Sequence, residues 1–131
     1  MSTYTQILYQ IIFSTKNREK ILALPNRKEL FKYICGVIKN KNCYPYCING
    51  VDDHLHICIS LHPAIALASL IKDIKLASTE YIKTKNLFKN FNGWQEGYGA
   101  FTYSIQEKDK LIEYIKNRKN IIEQNHLRMN I

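Results

Sequence analysis

The sequence predicts an α+β protein, a ferredoxin-like βαββαβ sandwich with a four-stranded antiparallel sheet and an extra C-terminal helix. Three observations predict it. Strand-like and helix-like hydrophobic patterns follow one another in the order β-α-β-β-α-β, then a last helix. The 131 residues, 46% hydrophobic and 23% charged, suit a single domain spanning 1–131 with one core. The stretch "DDHLHICIS", Asp52 to Ser60, alternates so that its apolar residues share one side, as a strand covered by helices does.

Each element has its own signal. "YTQILYQIIFS", Tyr4 to Ser14, puts Ile7, Tyr9, Ile11 and Phe13 on one face of a first strand. "TKNREKILALP" is a polar, basic connection. Asn26 as a cap, Glu29 three residues on, and a stripe of Leu30, Ile34, Val37 and Ile38 predict the first helix. "NCYPYCINGV", Asn42 to Val51, reads as a second strand, and Pro45 places it at an edge or a bulge. "NGVDD" favours a turn into the third strand. After Pro63, Leu67, Leu70, Ile71, Ile74, Ala77 and Tyr81 recur at helical spacing with lysines opposite. "KTKNLFKNFNGWQEGYG" is a loop and "GYGAFTYS" a fourth strand. Ser104 and Glu107 form an S-x-x-E capping box that opens a last helix, expected to reach about Gln124.

The third strand holds the unusual chemistry. His54, His56, Cys58 and Ser60 share one face, and Leu55, Ile57, Ile59 and Leu61 the other. The leucine face should meet the two helices. The histidine face should be the open face of the sheet, approached by the last helix. A single strand histidine is usually solvated or hydrogen-bonded. Two neutral imidazoles on one face can also bind one metal ion from two directions and leave positions open for chemistry. Asp53 points the other way in a regular strand, so it reads as an orienting partner rather than a ligand. In "LIEYIKNRKN", Tyr114 lies at the border of the stripe Leu111, Ile115 and Ile122. It is either a packed boundary tyrosine or a group for such an ion to act with.

Charge and composition narrow the partners. A formal charge of +8 favours an anionic partner, nucleic acid before an anionic membrane. The longest apolar run, Ala64 to Ile71, is too short to span a bilayer. No signal-peptide pattern opens the chain, so a cytoplasmic location is expected, at the nucleoid when DNA is bound. Cys35, Cys43, Cys47 and Cys58 show no paired CxxC spacing and are expected to be reduced thiols rather than zinc ligands. Lys16, Arg18 and Lys20 follow the first strand. Lys83, Lys85 and Lys89 are interleaved with Phe88, Phe91 and Trp94, a mixture that suits unstacked single strands.

Five blocks carry a resemblance: "FSTKNRE" (Phe13 to Glu19), "INGVDDHLHICISL" (Ile48 to Leu61), "LIKDIKLAS" (Leu70 to Ser78), "WQEGYGAFTYS" (Trp94 to Ser104) and "IEYIKN" (Ile112 to Asn117). In this order the chain resembles the HUH single-tyrosine transposases of the smallest bacterial insertion sequences. The resemblance implies that His54 and His56 hold Mg²⁺ or Mn²⁺ against a scissile phosphate of single-stranded DNA. It implies that Tyr114 is the nucleophile, forming a 5′-phosphotyrosine and releasing a 3′-OH. It also implies DNA hairpins at element ends as partners, and a homodimer in which one chain's tyrosine helix serves the other's histidines. One position departs. The family usually carries a glutamine four residues after the tyrosine as a third ligand, and here it is Arg118. A guanidinium has no acceptor, so it cannot ligate a cation, though it can grip a phosphate. Asn117 or water substitutes, or the site is damaged. Two rivals therefore stay open. One is a catalytically decayed relative that only binds hairpin or single-stranded nucleic acid. The other is a metal-dependent hydrolase of small phosphoesters, for which the histidine face offers no convincing carboxylate.

Overall fold

A computed structural model describes residues 3–117. The chain runs β1 (Ile7–Ser14), α1 (Asn26–Asn40), β2 (Tyr44–Gly50), β3 (His54–Ser60), α2 (Leu67–Lys85), β4 (Gly99–Ser104) and α3 (Lys108–Lys116). The four strands form one antiparallel sheet in the order β2-β3-β1-β4. Each β-α-β unit thus leaves a gap that the other fills, which is the expected ferredoxin-like topology. Among the described residues no helix is long and apolar enough to cross a membrane.

Alternation decides the layering. Ile11, Phe13, Leu55, Ile57 and Ile59 project from the central strands into one cluster with Leu30, Ile34 and Ile38 of α1 and Leu70, Ile71, Ile74 and Ile82 of α2. This is the main core. The opposite face carries a smaller cluster of Leu8 and Cys58 with Leu111 and Ile115 of α3, flanked by Tyr46, Cys47, Tyr103 and Ile105. The histidine face is therefore not open. His54 and His56 are 2% and 0% exposed, and α3 lies over β2 and β3 beside them.

Several boundaries shift for visible reasons. β1 starts at Ile7, whose partner Ser104 is the last residue of β4, so Tyr4 to Gln6 have no strand partner among the described residues. Asn26 does not cap α1: Pro25 holds that position, and Asn26 Nδ2 donates instead to the Leu87 carbonyl at 2.9 Å. Glu29 accepts from the Tyr81 hydroxyl. β2 is an edge strand with a bulge between Pro45 and Cys47, as Pro45 suggested. The Ser104–Glu107 box forms, with Ser104 N–H donating to Glu107 Oε1 at 3.0 Å. It closes a short 3-10 turn, Ile105–Glu107, that feeds α3. The expected continuation to Gln124 lies outside the described residues.

Gly50 sits where β2 meets the turn into β3. A Cβ there would stand 2.5 Å from the His54 carbonyl oxygen and 2.9 Å from Leu55 Cδ2. Gly50→Ala should cost about 1–3 kcal/mol through overpacking. An unchanged urea midpoint would show instead that the turn relaxes freely.

Candidate active site

Strand pairing fixes the surroundings of the histidine pair. Ser14 and Ile12 of β1 stand opposite His54 and His56, and Asn49 of β2 flanks His56 on the other side. The two rings lean together, edge to face, with centroids 5.2 Å apart, closer than their spacing along the strand suggested. His54 Nδ1 lies 2.6 Å from Asp53 Oδ1, and His56 Nδ1 lies 3.0 Å from Gln10 Oε1. An acceptor at Nδ1 favours a proton there, which would leave the ring lone pair on Nε2. Asp53 thus stands as the orienting partner that the sequence suggested.

Asp53 is itself tightly held. Burial pushes its carboxyl up, but the hydrogen bond and charge of His54, with Arg18 and Lys20, outweigh burial and bring it below the ordinary value. Arg18 Nε stands 3.7 Å from Asp53 Oδ2. The Asp53 carbonyl accepts from Thr15 N at 2.9 Å, and the Asp52 carbonyl from Leu22 N at 2.9 Å. The basic turn after β1 is thereby stitched to the turn that launches the histidine strand.

Tyr114 occupies the border of α3, half-buried. It lines a cavity of about 230 Å³ with Tyr103, Glu107, Lys110 and Leu111. The histidines are not in that lining. A chain of side chains connects the two places: Gln10 Nε2 donates to the Tyr103 hydroxyl at 3.0 Å, while Gln10 Oε1 faces His56. Burial raises the Tyr103 phenol above its ordinary value, the Gln10 bond lowers it, and neighbouring Tyr114 and Glu107 add to the rise. At the other end of α3, Asn49 Nδ2 donates to the carbonyls of Ile115 at 3.0 Å and Lys116 at 3.2 Å. Asn49 thus ties the tyrosine helix to the strand beside His56. Asn117 is the exposed C-cap of α3, and Arg118 lies outside the described residues. Sequence reasoning missed Gln10, Asn49 and Tyr103. The one available signal was Gln10, a carboxamide on the histidine side of an apolar strand.

The donor set fits a divalent ion with open positions. Two imidazoles with Nδ1 engaged present Nε2 on one sheet face. Ser14 Oγ, opposite His54, is buried with no hydrogen-bond partner among the described residues, a polar atom suited to bound water or a phosphate oxygen. Among the described residues no group of three or more His, Cys, Asp and Glu is placed to hold a metal. The cysteines are free thiols, with Cys47 and Cys58 opposite each other under α3.

The basic residues divide into two places. Lys16, Arg18 and Lys20 are exposed on the connection after β1, at the Asp53–His54 end. Lys83 and Lys85 end α2, on the opposite face of the sheet, so they do not join the histidines. The aromatics expected to stack bases beside them are packed instead. Phe88 is buried, and Trp94 meets Phe13 and Phe91 edge-on, with centroids 5.0 and 5.3 Å apart. Trp94 Nε1 donates to Ser78 Oγ at 2.9 Å. They buttress the core because the loop pairs back at the end of β1, where Gln95 N–H donates to the Ser14 carbonyl and Thr15, just past the strand, bridges Trp94.

Residues 3–118 match the family described as "Transposase IS200 like". No curated protein matches the chain significantly. Two solved structures are similar in fold. One is a candidate transposase from Deinococcus radiodurans R1, with TM-score 0.68 and 18% identity, covering 89% of this chain and 94% of that one. The other is a REP-associated tyrosine transposase bound to a REP hairpin, with TM-score 0.60 and 16% identity, covering 88% of this chain and 70% of that one.

Proposed function

Because this chain belongs to the IS200-like transposase family, we propose that it cuts and rejoins single-stranded DNA at insertion-sequence ends through Tyr114. The observation that carries the reading is the buried pair His54–His56, each ring backed at Nδ1, on the sheet face covered by the helix that bears Tyr114. Phenols titrate near 10 and are poor nucleophiles at neutral pH without help. His54 and His56 would hold Mg²⁺ or Mn²⁺, with Asn117 as the candidate oxygen donor in place of the missing glutamine. Such an ion supplies charge to offset that developing on the phosphate. Tyr114 Oη attacks phosphorus, its proton passes to water, and the bond to the 3′ oxygen breaks as that oxygen takes up a proton. The product is a 5′-phosphotyrosine diester. A free 3′-OH can reverse the step, so rejoining needs no external energy. Lys16, Arg18 and Lys20 border the histidine end and suit the DNA backbone; Arg118 is a further candidate phosphate contact.

Two features support the choice of partners. A hairpin-bound transposase shares the fold, and hairpins at element ends are the substrate of this reading. Tyr114 lines its cavity with Tyr103 rather than with the histidines of its own chain, which suits a homodimer that shares tyrosine helices between sites. A monomer at all concentrations in size exclusion with light scattering, DNA included, would remove the dimer.

The main test uses labelled single-stranded oligonucleotides from the DNA flanking the gene, with Mn²⁺ and a denaturing gel. A slow covalent band that disappears in Tyr114→Phe and in EDTA is expected. No band, with hairpin binding intact by gel shift, would favour the decayed, binding-only relative, because Arg118 offers no acceptor. Cleavage without any adduct would favour the hydrolase.

A further inference from the structure

Gln10 interrupts the apolar run of β1 and is 3% exposed. A buried carboxamide is costly to leave unpaired, so both of its ends need partners. Oε1 lies 3.0 Å from His56 Nδ1, and Nε2 lies 3.0 Å from the Tyr103 hydroxyl. The two ends of the amide have opposite consequences. Oε1 toward the ring requires Nδ1–H and leaves Nε2 of His56 as an acceptor. The flipped amide would require a bare Nδ1 and a proton on Nε2, and a protonated Nε2 cannot ligate a cation. His54 has no such choice, because the Asp53 carboxylate can only accept.

The Tyr103 hydroxyl can serve either end of the amide. Its surroundings choose. Glu107 lines the same cavity as Tyr103 and Tyr114. Ser104 anchors the Glu107 carboxylate through its N–H and hydroxyl, at 3.0 and 3.2 Å. A negative charge in that lining would draw the phenol proton toward the cavity and leave the oxygen lone pair to Gln10 Nε2, which donates to it.

We propose that Gln10 is a positioning residue that sets His56 in the Nδ1–H form, and that Tyr103, oriented by Glu107, sets Gln10. The functional role rests on the metal-binding reading of the histidine pair. The cavity beside Tyr114 and the ligand His56 are then joined by one line of hydrogen bonds, Tyr103–Gln10–His56.

The test is the histidine tautomer in the metal-free protein, read from long-range ¹H–¹⁵N correlations at a pH where the imidazoles are neutral. Wild-type His56 should carry its proton on Nδ1, as His54 does. Gln10→Glu keeps an acceptor and should keep that form. Gln10→Leu should move His56 toward Nε2–H, and Tyr103→Phe should give a mixture. Mn²⁺ affinity by calorimetry should fall about 10–100-fold in Gln10→Leu, the range for lost partners of metal-bound histidines, and hold in Gln10→Glu. Nε2–H in the wild type, or an unchanged tautomer in Gln10→Leu, would overturn the inference. An Nδ1–H His56 in a wild type that binds no Mn²⁺ would uphold the tautomer and remove the metal reading instead.

Discussion

Phe13→Ala should destabilise the protein by about 3–5 kcal/mol, the range for removing a buried aromatic from a packed core. The ring is fully buried in the main cluster, opposite Leu55, the residue between the two histidines. It also receives Trp94 edge-on and has Lys75 Nζ 5.3 Å from its centroid. Lys75 in turn donates to the carbonyls of Gln95 and Gly97 at 2.9 and 2.6 Å. Removing the ring therefore empties a core site and loosens the loop that pairs back onto β1. The melting temperature should drop by roughly 10–20 °C. A loss under about 1 kcal/mol would mean that the loop collapses into the space, and that the buttress role given to Trp94 is wrong.

His54→Ala should lower covalent adduct formation by about 10³-fold, several kcal/mol of lost charge stabilisation at the phosphate. Single-strand binding should be unchanged, because on the proposed function the exposed basic residues after β1, not His54, would supply the phosphate contacts. Asp53→Asn keeps the imidazole and weakens only its support, so it should cost about 10–100-fold, recoverable with more Mn²⁺. The ordering is the informative part. A His54→Ala protein that still forms adduct at the wild-type rate would end the metal role of the pair. An Asp53→Asn protein as inactive as His54→Ala, at any Mn²⁺ concentration, would make Asp53 more than an orienting group.

Local patterns carried the architecture. Period-two alternation in Tyr4–Ser14 and in the histidine stretch, and helical spacing from Leu67 to Tyr81, depend only on neighbours in sequence, and a strand, a strand and a helix formed there, the first strand beginning at Ile7 rather than Tyr4. The site was legible in its residue types, but not in its contacts. Gln10 and Tyr103 are 93 positions apart, and they meet only because β1 enters the sheet between β3 and β4. Asn26 looked like a cap until Leu87 offered it a tertiary carbonyl. The histidine face looked open because its apolar cluster draws only one or two residues from each element, too few to make a pattern. Phe88, Phe91 and Trp94 looked like a stacking surface because their spacing says nothing about which way a loop folds back.

The smaller cluster has a consequence for motion. Among the described residues α3 buries only Leu111 and Ile115, against five buried residues in α2. A helix so thinly anchored opens at a fraction of the global unfolding free energy, while a central strand opens only with the whole molecule. Amide protons from Leu111 to Ile115 should therefore exchange with deuterium well before those of Ile11 and Ile57. On the function proposed above, Tyr114 would ride on the arm that opens first while the histidines stay set in the wall, so that one half of the chemistry could be lent to another molecule without melting the half that stays.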